Sequence, residues 1–437
     1  MTTPAVAEPA VLADLRWRGL LQDSTDPAAL ARSLGSGPVT FYCGFDPTAP
    51  SLHVGHLLQV LTMRRLQQAG HRPLALVGGA TGLIGDPKPT AERTLVDQQT
   101  AAGWADRLRG QLAPFFDLEG PVAAQLVDNL EWTAGLSTIA FLRDVGKHFS
   151  VNRMLDRDAV ARRLDSTAGI SYTEFSYVLL QAHDFLELRR RFDCRLQLGG
   201  SDQWGNITAG VELVRRVDHE QVHAFTTPLL VKSDGTKYGK TEDGTVWLDP
   251  ALTSPYAFYQ YWFNVDDADV GMLLRRLTFL PAEAILGLEQ ATAQRPAARE
   301  GQRALAAEVT GLVHGPAAVE QSRQASAALF GTAELAQVDA ATLAAALQTV
   351  PHAVSRPGVG SADGRPTYAD LAVLVGLAPS KGAARRTAAE GGLYVNNERV
   401  GDADEPVDLQ RRLHGRWLVL RRGRRSVAGV DLATPEA

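Results

Sequence analysis

The chain has 437 residues, 45% hydrophobic and 21% charged, with a formal net charge of -5. That length exceeds what one hydrophobic core usually serves, roughly 250 to 300 residues, so two or three domains are expected, and the ordinary composition excludes a disordered or fibrous chain. The acidic balance excludes a surface that coats nucleic acid throughout, the distant Cys43 and Cys194 exclude a disulfide scaffold or CxxC zinc site, and no apolar run reaches the ~18 residues a membrane span needs.

The N-terminus, MTTPAVAEPAVLADLRWRGL, opens an Ala/Leu-rich first helix, and Glu8, Asp14 and Arg16 exclude a signal peptide or anchor. Residues Pro38 to Cys43 read as a buried strand, Leu52 to Ala69 as a helix stopped by Gly70, and Pro73 to Val77 as a second strand. This βαβ unit predicts a right-handed crossover and a parallel sheet, with Cys43 to Asp46 and Gly78 to Asp86 on its ligand-binding edge. From about Val122 to Arg191 the pattern is mostly helical, including Ser171 to Arg190, and the sheet resumes at Cys194 to Leu198. Another strand, Val222 to Val231, leads into the polar loop LVKSDGTKYGKTEDGT. Beyond Pro250 the chain is helical and Ala-rich to about Pro351, with no strand signal. HAVSRPGVGSADGRP then reads as a linker, and the last 70 or so residues as a small unit in which Arg411, Arg412, Arg416, Arg421, Arg422, Arg424 and Arg425 form a basic patch.

Four stretches could carry chemistry. In HVGH, His53 and His56 fall at the first turn of a helix, where unpaired N–H groups and the dipole favour an anion, and Gly55 lets a flat ring approach the backbone. No third ligand at useful spacing makes this pair a zinc site. In KYGKT, Lys237 and Lys240 lie three apart on a glycine-containing loop and can neutralise a polyphosphate. GKT is not the tail of a P-loop, because Asp234 replaces the first glycine. Tyr177, Gln181 and Asp184 share one helix face, with Tyr42 at the end of the first strand opposite, and Gly199-Gly200-Ser201-Asp202-Gln203 is a strand-to-helix turn suited to a nucleotide. Three of them alone also fit a bland reading, as satisfied histidines, a solvated lysine loop and a polar stripe at a subunit boundary, and the glycine turn alone is weak evidence.

Together, in this order, they resemble the bacterial-type tyrosyl-tRNA synthetases of class I, with HVGH in the place of the HIGH motif and KYGKT in that of KMSKS. The resemblance covers nearly the whole chain. It implies an α/β catalytic domain with a Rossmann-like parallel sheet and helical insertion over residues 1–250, a helical anticodon-binding domain over 251–352, a linker over 353–366 and a small α+β, S4-like RNA-binding domain over 367–437. It further implies that tyrosine lies between Tyr42 and Asp184, with Tyr177, Gln181, Asp86 and Gln203 around its amino end. Asp46, Gly55, Gly200, Asp202, Lys240 and Thr241 would contact ATP, and His53, His56, Lys237 and Lys240 would hold the departing phosphates. Mg²⁺ would enter with ATP, with no prosthetic group and no resident metal. The partners implied are tRNA(Tyr), bound in part through Lys381, Arg385 and Arg386, and a second copy of the chain; the compartment is the cytoplasm.

Three features depart from the family pattern: His183 in place of Tyr, Gln59 after HVGH, and a short GDPKPTAERT loop, where only Arg93 is given a pyrophosphate contact and Lys88 none. Rival readings are a tryptophanyl-tRNA synthetase, an RNA-binding protein on a retired scaffold and a general nucleotidyltransferase.

Overall fold

Thr40–Phe45 (β1) and Arg72–Val77 (β2) are buried along nearly their whole length, as strands covered on both faces must be. They pair in parallel, Tyr42 opposite Leu74 and Phe45 opposite Val77, and are joined by the crossover helix Val54–Gln68. Gln125–Asp128 (β3) extends the sheet beyond β2, while Cys194–Gly200 (β4) and His223–Thr227 (β5) extend it beyond β1. The order is β3-β2-β1-β4-β5, every pairing parallel. Strand order reverses between β1 and β4, and ligands of such sheets bind outside the carboxyl ends at that reversal.

This computed structural model describes residues 8–87, 96–165, 169–241, 244–331, 333–355, 365–423 and 425–432. Two sequence expectations for the sheet need correction. The stretch from about Val122 reads as mostly helical in sequence, but it opens with β3. Its four residues, QLVD, are too few to show alternation, and pairing of Val127 opposite Leu76 is what defines the strand. β5 ends at Thr227 instead of Val231 because Pro228 has no N–H to give the ladder.

Side chains alternate across the strands, so Tyr42, Leu74, Leu76 and Val127 share one face. They form a buried cluster with Val178, Ala182, Phe185 and Leu213 from the helices Tyr172–Phe192 and Trp204–Val217. The longer helix starts where the Ser171 side chain accepts from Glu174 N, and stops where Asp193 turns left-handed at φ 50°. A two-stranded ribbon, Lys240–Thr241 (β6) with Gly244–Thr245 (β7), follows the sheet.

Contacts divide the chain into Met1–Leu252 with Asp266–Gly301, and Thr253–Val265 with Gln302–Ala437. The helical region from 251 to 352 is therefore shared: Asp267–Leu277 and Ala282–Gln294 pack in the first unit, Pro255–Phe263, Pro316–Leu329 and Ala340–Gln348 in the second. The second unit is built on His352–Val354 (β8), Leu393–Val395 (β9), Glu398–Arg399 (β10), Trp417–Arg422 (β11) and Ser426–Asp431 (β12), in the order β10-β9-β11-β12-β8. The expected linker thus begins inside a strand, and its residues 356–364 lie outside the described residues. Leu418, Leu420, Ala428 and Val430 pack one face of this sheet into a core with Tyr368, Leu371, Ala384 and Ala388, while Val419 and Val427 join Ala325, Leu343 and Leu347.

Candidate active site

A cleft of about 420 Å³ opens at the carboxyl ends of β1 and β4. Its lining includes Tyr42, Asp46, His53, Gly55, His56, Asp86, Tyr177, Gln181, Asp184, Gly200, Asp202, Gln203 and Lys237, residues spread over almost two hundred positions of sequence.

His53 and His56 cap the helix Val54–Gln68 with each other. His53 Nδ1 accepts from Gly55 N at 2.9 Å, and His56 Nδ1 accepts from His53 N at 3.2 Å. In a neutral imidazole whose Nδ1 accepts, the proton sits on Nε2, so the cap itself selects the donor nitrogen of each ring. The rings stack at 4.0 Å. Burial, then the neighbouring His53, lowers His56 to about 3, which keeps it neutral. Gly55 has a nearer reason to be glycine than the approach of a ligand ring: a Cβ there would lie 2.7 Å from His53 Cε1.

At the closed end, Asp184 Oδ2 accepts from Asn129 Nδ2 at 2.9 Å and Oδ1 from Trp132 Nε1 at 2.8 Å. Burial outweighs these two donors and raises the Asp184 carboxyl to about 7. Tyr42, 1% exposed, packs against Phe185 with ring centroids 5.2 Å apart. Burial, then the Asp184 charge, pushes its phenol well above the usual range, so it remains a donor. The Tyr42 hydroxyl, Gln181 Oε1 and Gln197 Oε1 are buried, line the cleft and have no hydrogen-bond partner among the described residues. Buried polar atoms normally find partners, so three orphans around one cleft mark it as a place for a polar ligand.

The Tyr177 hydroxyl donates to Asp46 Oδ2 at 2.7 Å, and Thr81 Oγ1 donates to Asp46 Oδ1 at 2.6 Å. The residues implied for the amino end of tyrosine and for ATP are therefore directly coupled. Gln203 Nε2 donates to Asp86 Oδ2 at 2.9 Å. Burial raises Asp202 while the exposed Lys237 opposes it, and a Cβ on Gly200 would come 2.6 Å from Asp202 Oδ1. Gln59 Nε2 donates to Thr227 Oγ1 at 3.1 Å on the β5 side of the cleft. Tyr238 and Gly239 of the KYGKT loop also line it, with Gly239 at φ 85° and its hypothetical Cβ 3.4 Å from Val54.

The side chains of Lys240 and Thr241, and residues Lys88 and Arg93, lie outside the described residues. Lys381, Arg385 and Arg386 are not in the cleft; they are exposed on the helix Lys381–Ala389 of the second unit. There Lys381 Nζ meets Asp370 at 2.5 Å and Arg385 Nε meets Asp404 at 2.8 Å. The basic patch is also partly neutralised, since Arg411 pairs with Glu398, Arg416 pairs with Asp431, and Arg421 is buried over the Tyr394 ring. Sequence reasoning missed Asn129, Trp132 and Gln197. Gln197 was readable as a polar residue inside the buried strand CRLQLGG, whereas Asn129 follows a strand that was itself missed.

The model of a family described as tRNA synthetases class I (W and Y) matches residues 35–331, and that of the tyrosine–tRNA ligase SYY-like C-terminal domain matches 353–428. The chain is 61% identical over 424 residues to the tyrosine–tRNA ligase of Streptomyces griseus subsp. griseus, spanning 97% of this chain and 98% of that one. Against its counterpart from Mycobacterium tuberculosis it is 57% identical over 423 residues, spanning 96% and 98%. A C-terminally truncated Coccidioides posadasii mitochondrial tyrosyl-tRNA synthetase superposes with a TM-score of 0.63 at 32% identity, covering 71% of this chain and 90% of that one. The fold alone is shared with a tryptophanyl-tRNA synthetase from Encephalitozoon cuniculi, at 12% identity and a TM-score of 0.53 over 76% of this chain and 89% of that one. With a class I model over two thirds of its length and relatives near 60% identity over almost all of it, the chain belongs to the tyrosine–tRNA ligases of the class I synthetase family.

Proposed function

We propose that the cleft binds L-tyrosine with its ring against Tyr42 and its hydroxyl at Asp184, and ATP along HVGH and the lysine loop. The observation that carries this is the Tyr42 hydroxyl, without a partner among the described residues, together with the buried Asp184 carboxylate that accepts from Asn129 and Trp132. A phenol can donate to Asp184 and accept from Tyr42 at once. A site built around a hydroxyl rejects the analogue lacking it by about 10⁴–10⁵, a rule drawn in part from this enzyme family.

In the first step a tyrosine carboxylate oxygen attacks the α-phosphorus of ATP; that P–O bond forms as the bond to pyrophosphate breaks. The Nε2–H groups of His53 and His56, with Lys237 and Lys240, stabilise the charge gathering on the phosphates. Asp46, Gly55, Gly200, Asp202 and Thr241 hold the nucleotide, while Tyr177, Gln181, Asp86 and Gln203 hold the amino end. Mg²⁺ arrives as part of the MgATP substrate. In the second step a hydroxyl of the 3′-terminal adenosine of tRNA(Tyr) attacks the tyrosyl carbonyl and AMP leaves. Lys381, Arg385 and Arg386 offer cations to tRNA phosphates, and residues 367–437 act as an S4-like RNA-binding domain.

The active form is a homodimer assembled through the helical insertion, where Ile139, Leu142, Val151, Leu155, Leu164 and Tyr172 are exposed, Ile139 and Tyr172 to 73% and 70%. No helix among the described residues is long and apolar enough to cross a membrane, and the proposed compartment is the cytoplasm. The deciding experiment is ATP–pyrophosphate exchange with each standard amino acid. Exchange with tyrosine alone is expected; silence with every amino acid would overturn the reading.

A further inference from the structure

Asn206, 5% exposed near the start of the helix Trp204–Val217, closes a ring with two residues of the cleft wall. Its Nδ2 donates to Asp86 Oδ1 at 3.1 Å and to Gln203 Oε1 at 2.9 Å, while Gln203 Nε2 donates to Asp86 Oδ2 at 2.9 Å. Arg157, from the helical insertion, donates through Nη2 to Asn206 Oδ1. A Cβ on Gly205 would lie 2.9 Å from that same Nη2, so the guanidinium in this position packs directly over the glycine.

The donor and acceptor inventory allows one arrangement of this group. A carboxylate only accepts, so both amides must turn their NH₂ groups to Asp86. Gln203 Oε1 then faces the second N–H of Asn206, and Asn206 Oδ1 is left to meet a donor. Arg157 can only donate. Turning either amide over would set oxygen against oxygen, or NH₂ against guanidinium. Asn206, which does not line the cleft, thereby helps to orient the Asp86 carboxylate and the Gln203 amide from behind it.

We infer that Asn206 is a positioning residue for tyrosine capture: it aligns Asp86 and Gln203 toward the substrate's amino end, and Arg157 locks its orientation. The inference rests on the reading of this cleft as the tyrosine site. Asn206→Asp keeps the size and replaces the donor by an acceptor. In tyrosine-dependent pyrophosphate exchange it should raise KM for tyrosine about 10- to 100-fold, the value of a hydrogen bond to a charged group, while KM for ATP stays within about twofold. Arg157→Gln should show the same split, smaller, at about 3- to 10-fold, and Arg157→Lys should recover most of it.

A folded Asn206→Asp protein, verified by its thermal midpoint, with unchanged tyrosine KM would overturn the inference. So would a parallel rise in both KM values, which marks general loosening. If Asn206→Asp does not fold, Arg157→Gln decides on the same criterion. Wild-type protein run alongside separates the two levels: no tyrosine-dependent exchange there overturns the reading of the cleft, whereas normal wild-type exchange with an unaffected variant overturns only the role of Asn206.

Discussion

In the proposed adenylation step His56 can offer an N–H and carries no charge of its own, because its imidazole is lowered to about 3 and its Nδ1 is committed to the helix cap. Replacing it with Ala should slow adenylate formation about 10²- to 10³-fold, the cost of one lost transition-state donor, with tyrosine affinity little changed. Equilibrium tyrosine binding beside single-turnover rates would show the split, and an equal loss in both would refute it. Asp184 gives a pH prediction. Its carboxyl, raised to about 7, is largely protonated below that pH; if it receives the substrate phenol as proposed, it accepts poorly there, and tyrosine KM should fall as pH rises through about 7. Asp184→Asn should flatten that profile. Stability runs the other way: between the ordinary value of 3.8 and about 7 the folded state holds more protons than the unfolded one, so this group's contribution declines as pH rises across that window and is constant above it. The residue types at HVGH, KYGKT, Tyr42 and Asp184 were legible in the sequence. The hydrogen bonds that tune them were not, because Asn129, Trp132 and Thr81 reach the site only through folding.

At the scale of elements, the turn after β2 is tightly specified. A Cβ on Gly78 would fall 2.0 Å from Asp46 Oδ1 and 2.4 Å from Thr81 Oγ1. Gly78→Ala should therefore displace Asp46 from Tyr177 and Thr81, destabilising the first unit by about 1–3 kcal/mol, the usual cost of overpacking. Urea unfolding measures that loss, and exchange activity should fall with it; an unchanged midpoint would contradict the geometry. The first βαβ unit could be read directly from its apolar runs and the glycine at its helix end. β3 could not, since four residues carry too little periodicity and gain their strand geometry from β2. Missing that strand also hid Asn129, one residue beyond it.

Over the whole molecule, residues 353–437 form more than a tail. Leu413, Val419 and Val427 share a core with Tyr256, Ala325, Leu343 and Leu347. Deleting 353–437 should leave tyrosine-dependent exchange intact, because the cleft lies within residues 42–245, while weakening tRNA charging and lowering the thermal midpoint of the remaining second unit. Limited proteolysis should then cut first within residues 302–352, and resistance there would show that the helices stand without the sheet. The sequence by itself determined the parallel α/β class, the family and most of the cleft, because apolar period, helix-terminal chemistry and motif order are local properties of the chain. Only the tertiary structure decided which helices belong to which unit, which C-terminal arginines are neutralised by carboxylates, and which buried donors hold Asp184 and Asp86 in place. Those depend on groups far apart in sequence meeting at hydrogen-bond distance, and no local pattern encodes such a meeting.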